Sequence, residues 1–540
     1  MNYSYTLSVR VPCLILICVH LFIMQTQCAH IVGFASLNYV SHHRMLWKLG
    51  KELQTRGHKY SHILPNFAQE TFDDVNVVMF NSSVTNKDNM ALCLRYASAG
   101  NFGKDLSRLF EGVTTIASEI QRIHRQACED FLKHGSLISE LKSSVDLVLC
   151  DNTNQCCHIL ADMLNVSRVD VSILGFFNLF GVYLSDYPQA SVYVTLGASI
   201  HLPSESKFSF MNRLKGFVTC VCFWNILTYY NSRIEDLWEK YGKANSKFPS
   251  STIARRTHGI ELVPHDFALE QSRPLGANIK VIGALLSEPA RRLPEHLDKF
   301  MNENKVVVIV SFGTIYSNYP PGLAQTIADE LSQVRTAVLW KYSGEMPKNI
   351  GKNIKIIQWF SKNEFSFNDL LGHSSTKVFV THGGLNSYQE SVYHGVPMVV
   401  IPMMADQYRQ ADLIQHKGLG VIIQWTDIIA NRKILGDAIN EVLSNKVYVE
   451  NVKGLSTIMK DRKQSPSQEG ADWIEYALRH DGASFLTSEA IDLPQYKLHM
   501  FDVFIFLILV VCLIVYLLLR LCYCLLGACA KRMQVKKKQA

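Results

Sequence analysis

The sequence predicts an α/β protein built from two doubly wound parallel-sheet domains and one C-terminal membrane-spanning helix. Three observations predict it. Short apolar, β-branched runs alternate with helical patterns through most of the chain, as buried parallel strands joined by helical crossovers require. The chain has 540 residues, more than a single hydrophobic core usually holds. Val503 to Leu519 is an unbroken apolar run, extended past Arg520 by Leu521–Ala530, and is long enough to cross a bilayer. The expected layout is a leader at 1–29, domains at 30–285 and 305–500, a linker at 286–304, the span at 501–525 and a basic tail at 526–540.

Composition narrows the function classes. Net charge is +7, and Arg520, Lys531, Arg532, Lys536, Lys537 and Lys538 supply six of those charges. The remainder is near neutral, so a nucleic-acid partner has no electrostatic support. Of the 14 cysteines, Cys13, Cys18 and Cys28 lie in the leader. Cys512, Cys522, Cys524 and Cys529 lie in or beside the apolar end. The seven between Cys93 and Cys222 are odd in number, which excludes complete internal pairing and leaves the pairing open. Neither Cys156-Cys157 nor Cys220-x-Cys222 has a zinc spacing, and no metal site is expected.

The leader, with Arg10 before the apolar run Val11 to Met24, reads as a secretory signal. Asn81-Ser82-Ser83 and Asn165-Val166-Ser167 are then glycan acceptors. Ile31 to Ser36 reads as a buried strand. Ser41 is the expected cap of a helix in which Met45, Leu46, Leu49 and Leu53 recur at helical spacing, and Gly57 closes it. His42 thus stands at a helix N-terminus just after a strand, on the sheet edge where α/β proteins bind ligands, and suits a general base. Val145 to Asp151 is another strand, with Asp151 at its exit, where a carboxylate could hold and orient an imidazole. His43 is the rival base. Tyr60–Pro65, Val75–Phe80 and Arg168–Leu174 read as strands, and 103–134 and Cys156–Leu164 as helices. Residues 175–240 are aromatic-rich. Gly216 to Trp224 begins an apolar run too short to span, suited to an acceptor pocket, to contact with the luminal membrane face, or to a core helix.

Past the Pro-containing linker, Val306–Val310 is an all-apolar strand that exits into Ser311-Phe312-Gly313-Thr314, a small turn able to touch phosphate or sugar. The strand Val378–Thr381 feeds His382-Gly383-Gly384-Leu385-Asn386-Ser387 and then a helix. This device suits phosphate, because glycines admit the backbone and the helix start offers free N–H groups. Glu390, two turns past His382, could accept from ribose hydroxyls, and Asp406-Gln407 adds further hydroxyl-binding groups.

The full arrangement H-G-G-x-N-S-x-x-E, H-G-V-P-M and P-x-x-x-D-Q resembles the nucleotide-sugar signature of the UDP-glycosyltransferase superfamily, which includes animal UDP-glucuronosyltransferases. The resemblance implies a GT-B fold with the site between two Rossmann-like domains. It implies that His382, Gly384, Asn386 and Ser387 bind diphosphate, Glu390 ribose, and Asp406 and Gln407 sugar. Ser311, Gly313 and Thr314 match a similar family turn, and Trp359 matches the indole beside uracil. It also implies that His42, in register with the triplet Arg56-Gly57-His58, is the base, and that Asp151, closing Asp146-x-x-x-x-Asp151, supports it. The chain departs from the family after Trp359, where Pro and Gln are missing and several residues are inserted before Asn368-Asp369-Leu370-Leu371-Gly372-His373, so the base-edge contacts are less secure.

The implied activity is transfer of a hexosyl or glucuronosyl group from a UDP-sugar co-substrate to a small lipophilic acceptor, with inversion and without metal or other cofactor. The alternatives are a dedicated ceramide-type lipid glycosyltransferase and a catalytically weak UDP-sugar-binding membrane protein. Lys531, Arg532 and Lys536–Lys538 place the C-terminal side in the cytosol. The closing Lys537-Lys538-Gln539-Ala540 resembles an endoplasmic-reticulum retrieval signal, giving a single-pass, type I protein with luminal catalytic domains. Formation of a homo-oligomer is left open.

Overall fold

The computed structural model describes residues 28–36, 39–68, 72–85, 106–175, 234–242, 259–272, 274–313, 322–358, 365–403, 406–488 and 493–539. The leader to residue 27, Gly216–Trp224, Thr314 and Trp359 lie outside the described residues.

The first half builds a seven-stranded sheet, in the order β3-β2-β1-β4-β5-β6-β7. Its strands are β1 (His30–Phe34), β2 (Lys59–Pro65), β3 (Asn76–Phe80), β4 (Leu147–Asp151), β5 (Ser167–Val171), β6 (Glu261–Val263) and β7 (Ile279–Val281). All neighbours run parallel. Helices α1 (Val40–Thr55), α2 (Leu106–Leu132), α3 (Gly135–Ser144) and α4 (Gln155–Leu164) make crossovers. β1 and β4 are buried throughout, as their unbroken apolar character anticipates. They sit side by side, with Phe34 opposite Cys150, yet the chain leaves them in opposite directions. That reversal opens a crevice at their carboxyl ends.

Helix α1 begins at Val40, one residue before the expected cap, and no side chain caps it. Ser41 therefore lies within the first turn. Backbone bonds close the turn instead: Tyr39 N–H donates to Ser36 O at 3.4 Å and His42 N–H to Tyr39 O at 2.8 Å, so no hydroxyl acceptor is needed.

The second half repeats the architecture in a six-stranded parallel sheet ordered β10-β9-β8-β11-β12-β13. Its strands are β8 (Val307–Ser311), β9 (Ala337–Lys341), β10 (Ile354–Ile357), β11 (Thr376–Thr381), β12 (Met398–Val400) and β13 (Gly420–Ile422). Helix α5 (Glu295–Glu303) lies inside the stretch expected as linker, and its Leu297 and Met301 are fully buried in the second core. Next come α6 (Leu323–Gln333), α7 (Phe367–Leu371), α8 (Leu385–Tyr393), α9 (Gln407–His416), α10 (Trp425–Ala430), α11 (Ile434–Ser444) and α12 (Lys446–Lys460). One face of this sheet packs Val308, Val310 and Val380 with Ile327 and Ile439; the other packs Ile309, Phe379 and Met398 with Tyr388 and Ile414. The switch point falls between β8 and β11, where Ser311 pairs with Thr381.

The chain then returns to the first half. Helix α13 (Pro466–Arg479) starts from a capping box, in which Ser465 Oγ accepts from Gln468 N–H and Gln468 reaches back to Ser465 N–H, with Pro466 in its first turn. Ala471, Ile474 and Ala477 complete the core that covers Ile31, Leu49 and Leu147. The approach is close: a Cβ on Gly470 would stand 2.5 Å from Leu49 Cδ2. Arg56 holds the far side, donating to Asp472 Oδ1 at 2.6 Å and to the Gln468 carbonyl at 3.0 Å. The triplet Arg56-Gly57-His58 is thus a fastening for α13, since His58 Nε2 also lies 3.3 Å from Glu475 Oε1. Short α14 (Gln495–Leu498) leads into α15 (Phe501–Gln539), whose stretch Phe501–Lys531 is exposed and long and apolar enough to cross a membrane.

Two disulfides resolve part of the cysteine ambiguity. Cys128 of α2 pairs with Cys156, and Cys150 of β4 pairs with Cys157. The vicinal cysteines at the start of α4 therefore tie that helix to two different elements.

Candidate functional site

At the first switch point, the turn into α1 delivers His42 and the exit of β4 delivers Asp151. His42 Nδ1–H donates to Asp151 Oδ2 at 2.7 Å, and both residues are buried. Asp151 accepts three further bonds: Ser36 N–H on Oδ2 at 2.9 Å, and Thr153 N–H at 2.9 Å and Oγ1–H at 2.7 Å on Oδ1. Burial pushes this carboxyl up, but the neighbouring His42 and the Thr153 donors outweigh it and hold it below the usual carboxylate range. The proton on Nδ1 leaves the lone pair of His42 on Nε2. Tyr39 packs on the His42 ring with centroids 5.1 Å apart.

His43, the rival base, faces away from the carboxylate. Its Nδ1 lies 2.8 Å from His62 Nε2, while His62 Nδ1 meets the Tyr60 hydroxyl at 2.7 Å. Asp146, the first acid of the D-x-x-x-x-D pattern, accepts from His30 N–H at 2.7 Å and fixes the start of the strands.

At the second switch point, His382 follows β11 and faces the turn after β8. Its ring is packed between glycines: an added Cβ would stand 2.9 Å from it on Gly313 and 2.6 Å on Gly384. Gly313 also has φ +77°, a backbone that side chains resist. Ser311 Oγ accepts from Gly313 N–H at 3.4 Å. Burial, with help from the Lys341 charge at the end of β9, lowers the His382 imidazole to about 4. At neutral pH it is an uncharged hydrogen-bonding group.

Gly384 caps the start of helix α8, whose first turn lies beside that ring. Asn386 Oδ1 is buried there and has no partner among the described residues. Ser387 is half-buried next to it, and Glu390 is half-buried one turn further on. Burial raises the Glu390 carboxyl to about 8; Arg44 of α1 opposes this, while Asp369 and Glu288 add to it. Asp406 and Gln407 start α9 and are buried, and Gln407 Oε1 accepts from Met403 N–H at 2.9 Å. Burial raises the Asp406 carboxyl to about 6, and the charges of His42 and Arg409 are among those pulling it back. The Arg44 charge acts on Glu390 and the His42 charge on Asp406, so the two switch points lie close to one another.

Direct contacts join the two sides. Gln389 Nε2–H donates to Pro264 O at 2.9 Å, Tyr388 Oη–H to Leu269 O at 3.2 Å, and buried Arg409 pairs with buried Glu270.

Three residues near these sites carried no sequence signal. Thr153 braces Asp151, Lys341 lies near His382, and His124 of α2 stacks 6.2 Å from Tyr39. A histidine on a long amphipathic helix looks like any surface residue until the helix is placed. Among the described residues, Cys150, His158 and Asp170 bring ligand-type atoms within 4.8 Å of one another. Cys150 is already bonded to Cys157, and Asp170 is shared between His158 and Arg168, so this donor set suits a metal poorly.

Three comparisons bear on this arrangement. The sequence model of a family described as UDP-glucoronosyl and UDP-glucosyl transferase matches residues 37–539. UDP-glucuronosyltransferase 2B23 of Macaca fascicularis is 31% identical over 405 residues, covering 74% of each chain. The 2-hydroxyacylsphingosine 1-beta-galactosyltransferase of Rattus norvegicus is 30% identical over 391 residues, covering 71% of this chain and 69% of that one. Among solved structures, Os79 of O. sativa, in complex with U2F and trichothecene, aligns over 83% of this chain and all of its own, with a TM-score of 0.56 at 14% identity. The spinosyn forosaminyltransferase SpnP aligns over 84%, with a TM-score of 0.54 at 14% identity.

Proposed function

The chain belongs to the family of UDP-glucuronosyl and UDP-glucosyl transferases, and on that premise we propose that His42 and Asp151 are its catalytic pair and that the turns around His382 hold the donor. The protein is a GT-B glycosyltransferase that moves a sugar from a UDP-sugar to a lipophilic acceptor. The observation that carries the residue assignment is the buried 2.7 Å bond from His42 to a carboxylate saturated with donors.

In this reading, His42 Nε2 takes the proton of an acceptor hydroxyl as its oxygen attacks the anomeric carbon. The bond from that carbon to UDP breaks, and UDP leaves with the electron pair, so the anomeric configuration inverts. Asp151 stabilises the imidazolium formed. Neutral His382, the first-turn N–H groups of α8, Asn386 and Ser387 receive the charge developing on the diphosphate. Asp406 and Gln407 hold sugar hydroxyls, and Ser311 and Gly313 contact the donor's phosphate or sugar, a role assigned to Thr314 by resemblance alone. Trp359 is assigned to uracil by resemblance alone.

Glu390 gives this reading a pH signature. As a ribose-binding group it works best as a carboxylate, yet it is held protonated to about 8. UDP affinity is therefore expected to rise from pH 7 to pH 9, and the rise should vanish in Glu390→Gln. Calorimetric titration with UDP across that range would sink the assignment if both proteins gave the same profile.

The exposed apolar helix α15 anchors the protein to a membrane. An endoplasmic-reticulum location with luminal domains is proposed from the lysine-rich end and supported by the two disulfides, which belong to an oxidising compartment. Asn81 and Asn165 are exposed and available to carry glycans there.

The activity is tested by UDP release from microsomes bearing the full chain, each UDP-sugar being offered in turn with phenols, steroids and sphingolipids. Donor-dependent release names the sugar. Release confined to sphingolipids would favour the dedicated lipid enzyme, and UDP binding without release would favour the binding protein.

A further inference from the structure

Helix α2 contributes a polar wall beside the catalytic pair. A small notch lies between its Gln121 and His124 on one side and Thr153 and Asn154 of the β4–α4 turn on the other. Its size suits about one water molecule or one substrate oxygen. Thr153 faces this notch and also donates twice to Asp151. His124 packs against Tyr39, which packs against His42, so the notch belongs to the same wall as the base.

Gln121 marks the notch as more than a packing fault. The residue is 4% exposed, and its Nε2 has no hydrogen-bond partner among the described residues. Proteins pair nearly all buried amide donors, because an unmade bond leaves the desolvation uncompensated, so this one calls for an acceptor supplied by something bound. His124 is half-buried, and desolvation of its ring lowers its imidazole to about 4, against the pull of Asp151. It is therefore a neutral ring that can donate or accept a hydrogen bond.

Resting on the glycosyltransferase reading above, we infer that this notch is an acceptor subsite, in which Gln121 and His124 bind a second oxygen of the substrate, remote from the hydroxyl being glycosylated. The ligand class is lipophilic alcohols and phenols bearing a second hydroxyl or carbonyl. A site built to bond such an oxygen disfavours the analogue lacking it, because its own buried groups are then left unpaired.

The experiment uses the full chain in microsomes with matched acceptors differing by one oxygen, such as monohydroxylated and dihydroxylated aromatics and steroids of one skeleton. Wild type is expected to favour the two-oxygen member of at least one pair by about tenfold in kcat/KM, the worth of one buried hydrogen bond. Gln121→Leu and His124→Phe are each expected to reduce that ratio to about two or less, while kcat/KM for the one-oxygen member and KM for the UDP-sugar stay within about twofold. UDP binding checks that each variant is folded, and Gln121→Asn serves where the leucine variant fails to accumulate. The inference is overturned if wild type shows no preference in any pair, if the preference survives in both variants, or if both lose turnover of either acceptor alike. Silence of wild type towards every acceptor would instead count against the glycosyltransferase reading itself.

Discussion

His42→Ala is expected to lower turnover of every acceptor by about a hundred- to ten-thousand-fold, the usual contribution of a positioned general base, while UDP affinity stays unchanged. The separation of the two effects follows from where the residue sits. His42 belongs to the β1/β4 switch point and the phosphate turn to the β8/β11 switch point, so removing the imidazole takes the acceptor's proton sink and leaves the donor cradle whole. Microsomal UDP release, together with calorimetric binding of UDP, reads both quantities. A variant within about threefold of wild-type turnover would dismiss His42 as the base, since no positioned base contributes so little.

Asp151→Asn is expected to cost about as much, roughly a thousand- to ten-thousand-fold, although it changes one atom. The four groups around this carboxylate point donors at it, two on each oxygen. An amide places an NH2 where one oxygen was. Facing Oδ1 it opposes the Thr153 N–H; facing Oδ2 it opposes the Ser36 N–H and the His42 Nδ1–H. Either way two donors meet, or His42 turns to the tautomer whose Nε2 carries hydrogen and accepts no proton. Stability should fall as well, by about 1–3 kcal/mol for the buried donors left unsatisfied. The wild-type carboxyl is depressed by its surroundings, so its share of stability is fully present above the unfolded-state value near pH 4 and is lost as pH falls through the lower folded value. Thermal unfolding at pH 7 should therefore separate the two proteins, and the gap should narrow in strong acid. Equal melting temperatures at pH 7 would contradict the hydrogen-bond pattern around Asp151.

Much of this architecture is legible in the sequence. The short, β-branched apolar runs Val306–Val310 and Val378–Thr381 read as strands buried on both faces, and their alternation with helices implies parallel sheets. The phosphate turn was legible because its parts are adjacent in sequence. The catalytic pair was harder: more than a hundred residues separate His42 from Asp151, and only strand order makes them neighbours. Ser41 misled because capping propensity is local, while the turn before α1 is closed by its own backbone. The disulfides could not be read either, since adjacent Cys156 and Cys157 reach elements whose positions only the fold decides. His124 and Gln121 were invisible for the same reason, as nothing in the pattern of α2 says which of its faces meets the β4–α4 turn.

The return of α13 to the first sheet has a consequence for biosynthesis. The surface formed by Ile31, Leu49 and Leu147 waits for Ala471, Ile474 and Ala477, which leave the ribosome only after the whole second sheet has been made. At about 5–20 residues per second, that is a delay of roughly ten to forty seconds. During it, the first sheet must persist half-clothed in the compartment it enters, a substrate for chaperones. A chain that stops short of α13 would never leave that state, even with every residue assigned to chemistry already in place.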